Sequence, residues 1–324
     1  MKQLLVLFLF FLISCRAQDQ SLQYAKEIQD EDLRSLLYVY ASDYFEGRRT
    51  GTVGQRRATD FLRHFYQSHQ IEAAKGTDDY YQNMKLPVDG AKVETQNVVA
   101  IIPGEQLPNE YIILSSHLDH LGMRNGEIFN GADDDGSGTV ALLEIAAAFQ
   151  KAKKEGNGPK RSIIFLHVTG EEERLLGSKY YTNNPLYPLA KTVANLNVDM
   201  IGRVDPKRDN PDPNYIYLIG ADRLSQELHN LSEMINTKYS QLELDYTFND
   251  ENDPNNFYTR SDHYNFANKN IPIIFYFNGT HQDYHKASDT AEKINYELLK
   301  KRTQLIFHTA WELANMEKRI QLKP

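Results

Sequence analysis

The sequence predicts an α/β fold: a three-layer αβα sandwich around a central mixed, mostly parallel sheet. Three observations lead there. Short apolar runs alternate with stretches of helical periodicity from residue 97 to the C-terminus, the pattern of a sheet covered on both faces. The runs end on polar side chains. His117, Glu171, Glu172 and Asp199 each stand at the C-terminal end of such a run, and His285 lies in the loop after another. In open α/β sheets the ligand crevice lies outside the carboxyl ends of the strands, so these side chains should converge on one edge. Finally, Asp133-Asp134-Asp135 sits between Gly131 and Gly136-Ser137-Gly138, just before an apolar helical run. Three adjacent carboxylates repel one another unless something cationic offsets them, and the flanking glycines allow tight turns. Taken alone, this stretch reads equally well as an acidic surface turn capping the helix that starts near Ser137.

In chain order, residues 1–17 read as a leader. Lys2 supplies a positive start, and Leu4 to Ile13 is apolar but too short to span a bilayer as a helix. Leu12-Ile13-Ser14-Cys15 looks like a bacterial lipobox with Cys15 as the lipidated residue; cleavage after Ala17 is the competing reading. Cys15 is the only cysteine, so the mature fold carries no disulfide and no thiolate ligand, and any metal is held by His, Asp and Glu. Residues 18–30 are polar and read as a tether, leaving 31–324 as a single domain. The 324 residues, 41% hydrophobic and 25% charged, suit that division. A formal net charge of −8 argues against nucleic acid as a partner.

Leu33, Leu36, Leu37 and Tyr40 have helical spacing, and so do Ala58, Phe61, Leu62 and Phe65, with the Gly-punctuated Glu46–Gly54 loop between them. This pair reads as a helical cover on one flank of the sheet. Strands are expected at 97–102, 111–116, 162–168, 192–198, 215–219 and 271–277. Helices are expected at 140–149, 175–181, 224–235 and 292–316, and a long polar loop at 246–260. Arg203 to Asn214 and the Asn/Asp-rich stretch before Tyr258 should border the substrate cleft.

His117-Leu118-Asp119, Gly131-Ala132-Asp133-Asp134, Gly170-Glu171-Glu172, Asn197-Val198-Asp199-Met200, Ser261-Asp262-His263 and Tyr284-His285, with Glu46-Gly47-Arg48 upstream, together resemble family M28 zinc aminopeptidases. These are co-catalytic dizinc peptidases of the phosphorylase/hydrolase-like, zinc exopeptidase fold, and the resemblance runs from Glu46 to about Asp289. It implies two Zn2+ per chain. Asp134 would bridge them, His117 and Asp199 would complete the first site, and Glu172 and His285 the second. Glu171 would be the general base for a water shared between the metals. Asp119 would orient His117, and Tyr258 would hydrogen-bond the oxyanion. The resemblance also implies a cis peptide between Asp134 and Asp135. His263, His120 and His167 read as structural or bystander residues. Arg174 stands where the family often has glycine, an expected narrowing or charging of the pocket. No further domain fits between Tyr81 and Val93.

The implied activity is removal of N-terminal residues from peptides by an exported enzyme of the cell envelope, periplasmic or outer-membrane, touching membrane only through a lipid anchor, or else secreted. The alternatives are a glutaminyl-peptide cyclase with one zinc, a carboxypeptidase or dipeptidase of the same superfamily, and an inactive peptide-binding relative.

Overall fold

The strands bury both faces, and this sets the layering. A computed structural model describes residues 20–324; the leader and Cys15 lie outside them. Nine strands form one sheet in the order β1-β3-β7-β4-β8-β11-β9-β10, with β2 also paired to β3. Here β1 is Glu72–Ala73, β2 Tyr81–Val88, β3 Ala91–Ile102, β4 Leu107–His117, β7 Arg161–Val168, β8 Thr192–Val198, β9 Tyr215–Ile219, β10 Glu243–Asp245 and β11 Ile273–Phe277. A separate two-stranded ribbon, β5 (Gly122–Arg124) with β6 (Glu127–Phe129), lies between β4 and the Asp cluster. The central β7-β4-β8-β11 block is parallel, whereas β3 and β9 join it antiparallel.

Every residue of β7, β8, β9 and β11 is buried. Successive side chains on a strand point to opposite faces. Ile112, Leu114, Ile163 and Phe165 accordingly enter one core cluster, and Ile113, Ile164 and Leu166 another. On the first face lie α1 (Asp30–Tyr40), α2 (Val53–Ser68), α3 (Gly138–Lys154), α5 (Gln226–Ile235) and α7 (Tyr296–Asn315). The second face is covered by α4 (Leu176–Asn183) and α6 (His263–Ala267), with Tyr181 and Phe266 rings 5.9 Å apart between them. Side-chain oxygens of Thr52, Ser225 and Asn295 cap α2, α5 and α7 by accepting otherwise unpaired amides.

Two expectations change. The supposed tether is part of the core from residue 20: Tyr24 and Ile28 are fully buried, and the Tyr24 ring stacks 5.6 Å from Trp311 of α7. Its polar residues alternate with buried ones, which hid the packing. The stretch before residue 97 is also a hairpin, β2 to β3. Met84, Leu86 and Val88 point inward, and Asp89-Gly90, both at positive φ, make the turn.

Candidate metal centre

Strand ends and tight turns bring the expected donors together. His117 is the last residue of β4 and Asp199 follows β8 directly. Glu171 and Glu172 lie just past β7, and His285, at φ 58°, sits in the loop beyond β11. Asp134 stands in the turn between Gly131 and α3, and the Asp134–Asp135 peptide is cis. Gly131 has φ 52°, and a Cβ there would lie 2.2 Å from the Asp134 carbonyl oxygen and 2.5 Å from the His120 ring, so only glycine fits.

Asp134 faces both ways. Its Oδ1 lies 3.1 Å from His117 Nε2, which is 3.4 Å from Asp199 Oδ1. Its Oδ2 lies 3.2 Å from His285 Nε2, which is 3.4 Å from Glu172 Oε2. Donors on zinc with bonds of roughly 2.0–2.1 Å in a tetrahedron stand about 3.3 Å from each other, so these separations are those of ligands around two ions sharing one carboxylate. Two groups of donors emerge, the buried His117, Asp134 and Asp199, and His120 with Asp134 and the half-buried Glu172. Buried Asp134 Oδ2 and Glu172 Oε1 have no hydrogen-bond partner, a costly condition for carboxylates that a bound cation would relieve.

The surrounding bonds fix the donors. His117 Nδ1 lies 3.0 Å from the main-chain carbonyl oxygen of Asp119. A carbonyl only accepts, so Nδ1 carries the proton and Nε2 is free for a cation. This corrects the role expected of the Asp119 carboxylate, which is 4.0 Å from that ring. The carboxylate instead accepts from Thr50 Oγ1 (3.0 Å) and from the Glu171 amide (3.2 Å), placing the residue expected to be the base; burial pushes the pKa of Asp119 to about 6. Asp199 Oδ2 accepts from Ser261 Oγ at 2.6 Å, Ser261 Oγ from Asn197 Nδ2 at 2.9 Å, and Asn197 Oδ1 from Ser115 Oγ at 2.6 Å. Asp135 accepts from the amides of His117, Gly138 and Met200.

The electrostatics follow from crowding. Burial, then Glu172, Asp199 and Asp262, push Glu171 well above the carboxylate range, with His117 opposing. Burial works against the Asp134 charge, but His120, His117 and His285 hold its pKa well below the usual value. His117 is held well above its ordinary value by Asp199, Glu171 and Asp134, against the effect of burial.

Asp134, Glu171, Asp199 and His285 open onto a cleft whose wall includes Met200, Phe257, Phe275 and Phe277, with Arg260 and Tyr284 beside them. Tyr258 does not reach it. Its ring lies under the Arg223 guanidinium at 3.8 Å and against Gly220, so the expected oxyanion role has no geometric support there. The phenol at the cleft is Tyr284, stacked on His285 at 3.9 Å. Arg174 is exposed and absent from the cleft lining; what its glycine-like position reflects is backbone, φ 71°. The segments 203–214 and 246–257 line a neighbouring depression that shares Phe257 with the cleft. His167, between Tyr66 Oη and Ser116 Oγ, and His263, stacked on Phe275, are core residues as expected.

The roles of three residues were missed. His120 lies 2.8 Å from Glu172 Oε1; its place three residues after His117 was the available signal. Buried Arg48 donates to the carbonyls of Leu118, Asn130 and Gly131, tying the turn after β4 to the turn before Asp134. Asp289 Oδ2 accepts from the amides of Asp133 (3.0 Å) and Asp134 (3.2 Å). The resemblance reached Asp289, but the sequence did not show that its carboxylate would hold the turn of Asp133 and Asp134.

A model of "Peptidase family M28" matches residues 97–310. Leupeptin-inactivating enzyme 1 of Streptomyces exfoliatus is 34% identical over 260 residues, covering 80% of this chain; the chain spans 50% of that protein's length. The LapA aminopeptidase of Legionella pneumophila superposes with a TM-score of 0.72 at 22% identity, over 93% of this chain and 75% of that one. The Porphyromonas gingivalis glutaminyl cyclase superposes with 0.68 at 19% identity, over 87% and 98% respectively.

Proposed function

Because this chain belongs to peptidase family M28, we propose that it is a zinc-dependent aminopeptidase with two metal positions, one of His117, Asp134 and Asp199, the other including Asp134, Glu172 and His285. The observation that carries this is the shared carboxylate of Asp134, one oxygen facing each group. Two bound cations would supply Lewis acidity and a more acidic water than bulk. The chain's own residues do the rest. Glu171 lines the cleft and takes the proton of the attacking water, then returns it to the leaving amine. The Tyr284 phenol donates to the developing oxyanion. Met200, Phe257, Phe275 and Phe277 favour an apolar N-terminal side chain.

Glu171→Gln should lower hydrolysis of leucine p-nitroanilide by about 10²–10⁴-fold while mass spectrometry still finds two zincs per chain. A variant that keeps its activity removes Glu171 from the mechanism. One zinc in the wild type, with cyclisation of an N-terminal glutamine peptide and no hydrolysis, would replace this reading with the cyclase.

The enzyme is exported and held at the cell envelope by a lipid on Cys15. The Leu12-Ile13-Ser14-Cys15 sequence supports this, and among the described residues no helix is long and apolar enough to cross a membrane. Cells fed a labelled fatty acid should label the wild type and not Cys15→Ala; an unlabelled, freely soluble wild type would instead mean simple cleavage after Ala17.

A further inference from the structure

The second metal position has one donor more than the first. We propose that His120 is a fourth protein ligand there, with Asp134, Glu172 and His285, so that this position is closed and tightly held while the position of His117 and Asp199 stays open. The inference deepens the two-metal reading and rests on it.

Four observations carry it. The His120 side chain is fully buried, and neither ring nitrogen has a hydrogen-bond partner. A buried histidine serving only structure is normally satisfied, as His167 is on both sides by Tyr66 and Ser116. His120 Nδ1 lies 2.8 Å from Glu172 Oε1 and 3.7 Å from Asp134 Oδ2. The shorter contact is not aligned as a hydrogen bond, since both atoms remain without a partner. Two donors that approach side by side in this way are aimed at a common third point. Finally, the two imidazoles divide one carboxylate: His120 faces Glu172 Oε1, and His285 faces Oε2 at 3.4 Å. Their rings stand 6.0 Å apart at 63°.

The backbone holds this arrangement. Gly131 lies directly against the His120 ring, where a Cβ would collide with Cγ and Cδ2. Arg48 bonds both Leu118 and Gly131, and so fixes the turns on either side of that ring.

A site with four protein donors completes a tetrahedron, whereas one with three keeps a position for water or substrate. The two positions should therefore fill in order, the one with His120 first. Apoprotein loaded with one equivalent of zinc would be studied by X-ray absorption. Two imidazoles per metal are expected, from His120 and His285; one imidazole overturns the proposal. Chelator competition would then compare the wild type with His120→Gln and His120→Ser. Loss of a residue that merely supports a ligand costs about 10–100-fold in metal affinity, so loss of a ligand should weaken the first-filled position by more than about 100-fold. The cobalt-substituted visible spectrum should change with it. Variants that fold, load two metals with affinities within about threefold of wild type and keep the cobalt spectrum would reduce His120 to a neighbour, leaving the aminopeptidase reading intact. A wild type that binds fewer than two metals would overturn both. The X-ray absorption measurement needs no variant, so a misfolded substitution leaves the proposal open to refutation.

Discussion

The Tyr284 phenol lines the cleft, its ring stacked 3.9 Å from that of His285 and its oxygen 3.5 Å from Arg260 Nη2. Burial, with Asp134, Glu171 and Glu172 nearby, holds it well above the ordinary phenol value, so it stays protonated and able to donate. Tyr258 has the same chemistry, but the Arg223 guanidinium covers its ring at 3.8 Å. Removing one oxyanion donor costs about 10²–10³-fold in kcat. Tyr284→Phe should therefore lose roughly that much kcat on leucine p-nitroanilide with KM little changed, and Tyr258→Phe should change kcat less than about threefold. The reverse ranking would return the role to Tyr258. This pair shows what the sequence could and could not say about the site. His117, Glu172 and Asp199 stood out in the sequence because each follows an apolar strand, whereas Asp134 and His285 lie in a turn and a loop and were assigned through the family resemblance. Tyr258 was placed by the family resemblance alone, and the short helical turn at Phe257–Thr259 leaves its ring under Arg223 and not at the cleft. The Asp119 carboxylate was misread for a similar reason: no sequence pattern says whether a main-chain or a side-chain oxygen will meet the His117 ring.

At the scale of elements, legibility followed burial. The parallel strands β4, β7, β8 and β11 are covered on both faces, so they appear as unbroken apolar runs bounded by turns. Strands β1 and β2 lie at the sheet edge, and β2 is buried only at alternate positions, so the short Met84, Leu86, Val88 set was easily lost. The start of β3 was lost with it, because residues 91–94 are largely exposed. The turn carrying Asp134 owes its shape to groups far away in sequence. Asp289, beyond β11, receives two of its amides; Gly202, beyond β8, donates to Asp133 Oδ1 at 2.7 Å; and His281 Nε2 lies 3.1 Å from Asp133 Oδ2. A run of three aspartates that seems electrostatically untenable is thus divided among separate tasks. Asp133 binds the neighbouring loops, Asp135 gathers three amides, and Asp134 alone faces the metal positions.

At the scale of the whole molecule, the fold keeps a buried carboxylate far from the site. Glu144 on α3 is 9% exposed, and burial raises its pKa to about 7, with Asp32 of α1 adding to the effect. In the unfolded chain a glutamate titrates near about 4.3. Between those values the folded state holds the proton and the unfolded state does not. Stability from this residue is therefore complete below about pH 4, falls as pH rises and is lost above about pH 7. The span corresponds to roughly 3 kcal/mol. Glu144→Gln removes the titration while keeping the shape, so the variant should match the wild type near pH 4 and be the more stable by up to about 3 kcal/mol at pH 8. For a chain of this size that is a rise of several degrees in Tm, about 2–4 °C per kcal/mol. Thermal unfolding at both pH values, with the metal loading held constant, reads the difference directly. An equal Tm gain at pH 4 and pH 8 would show that packing, and not the charge on Glu144, sets its cost. Because this carboxylate lies outside the metal centre, its effect should appear in stability and leave the pH dependence of hydrolysis to Glu171.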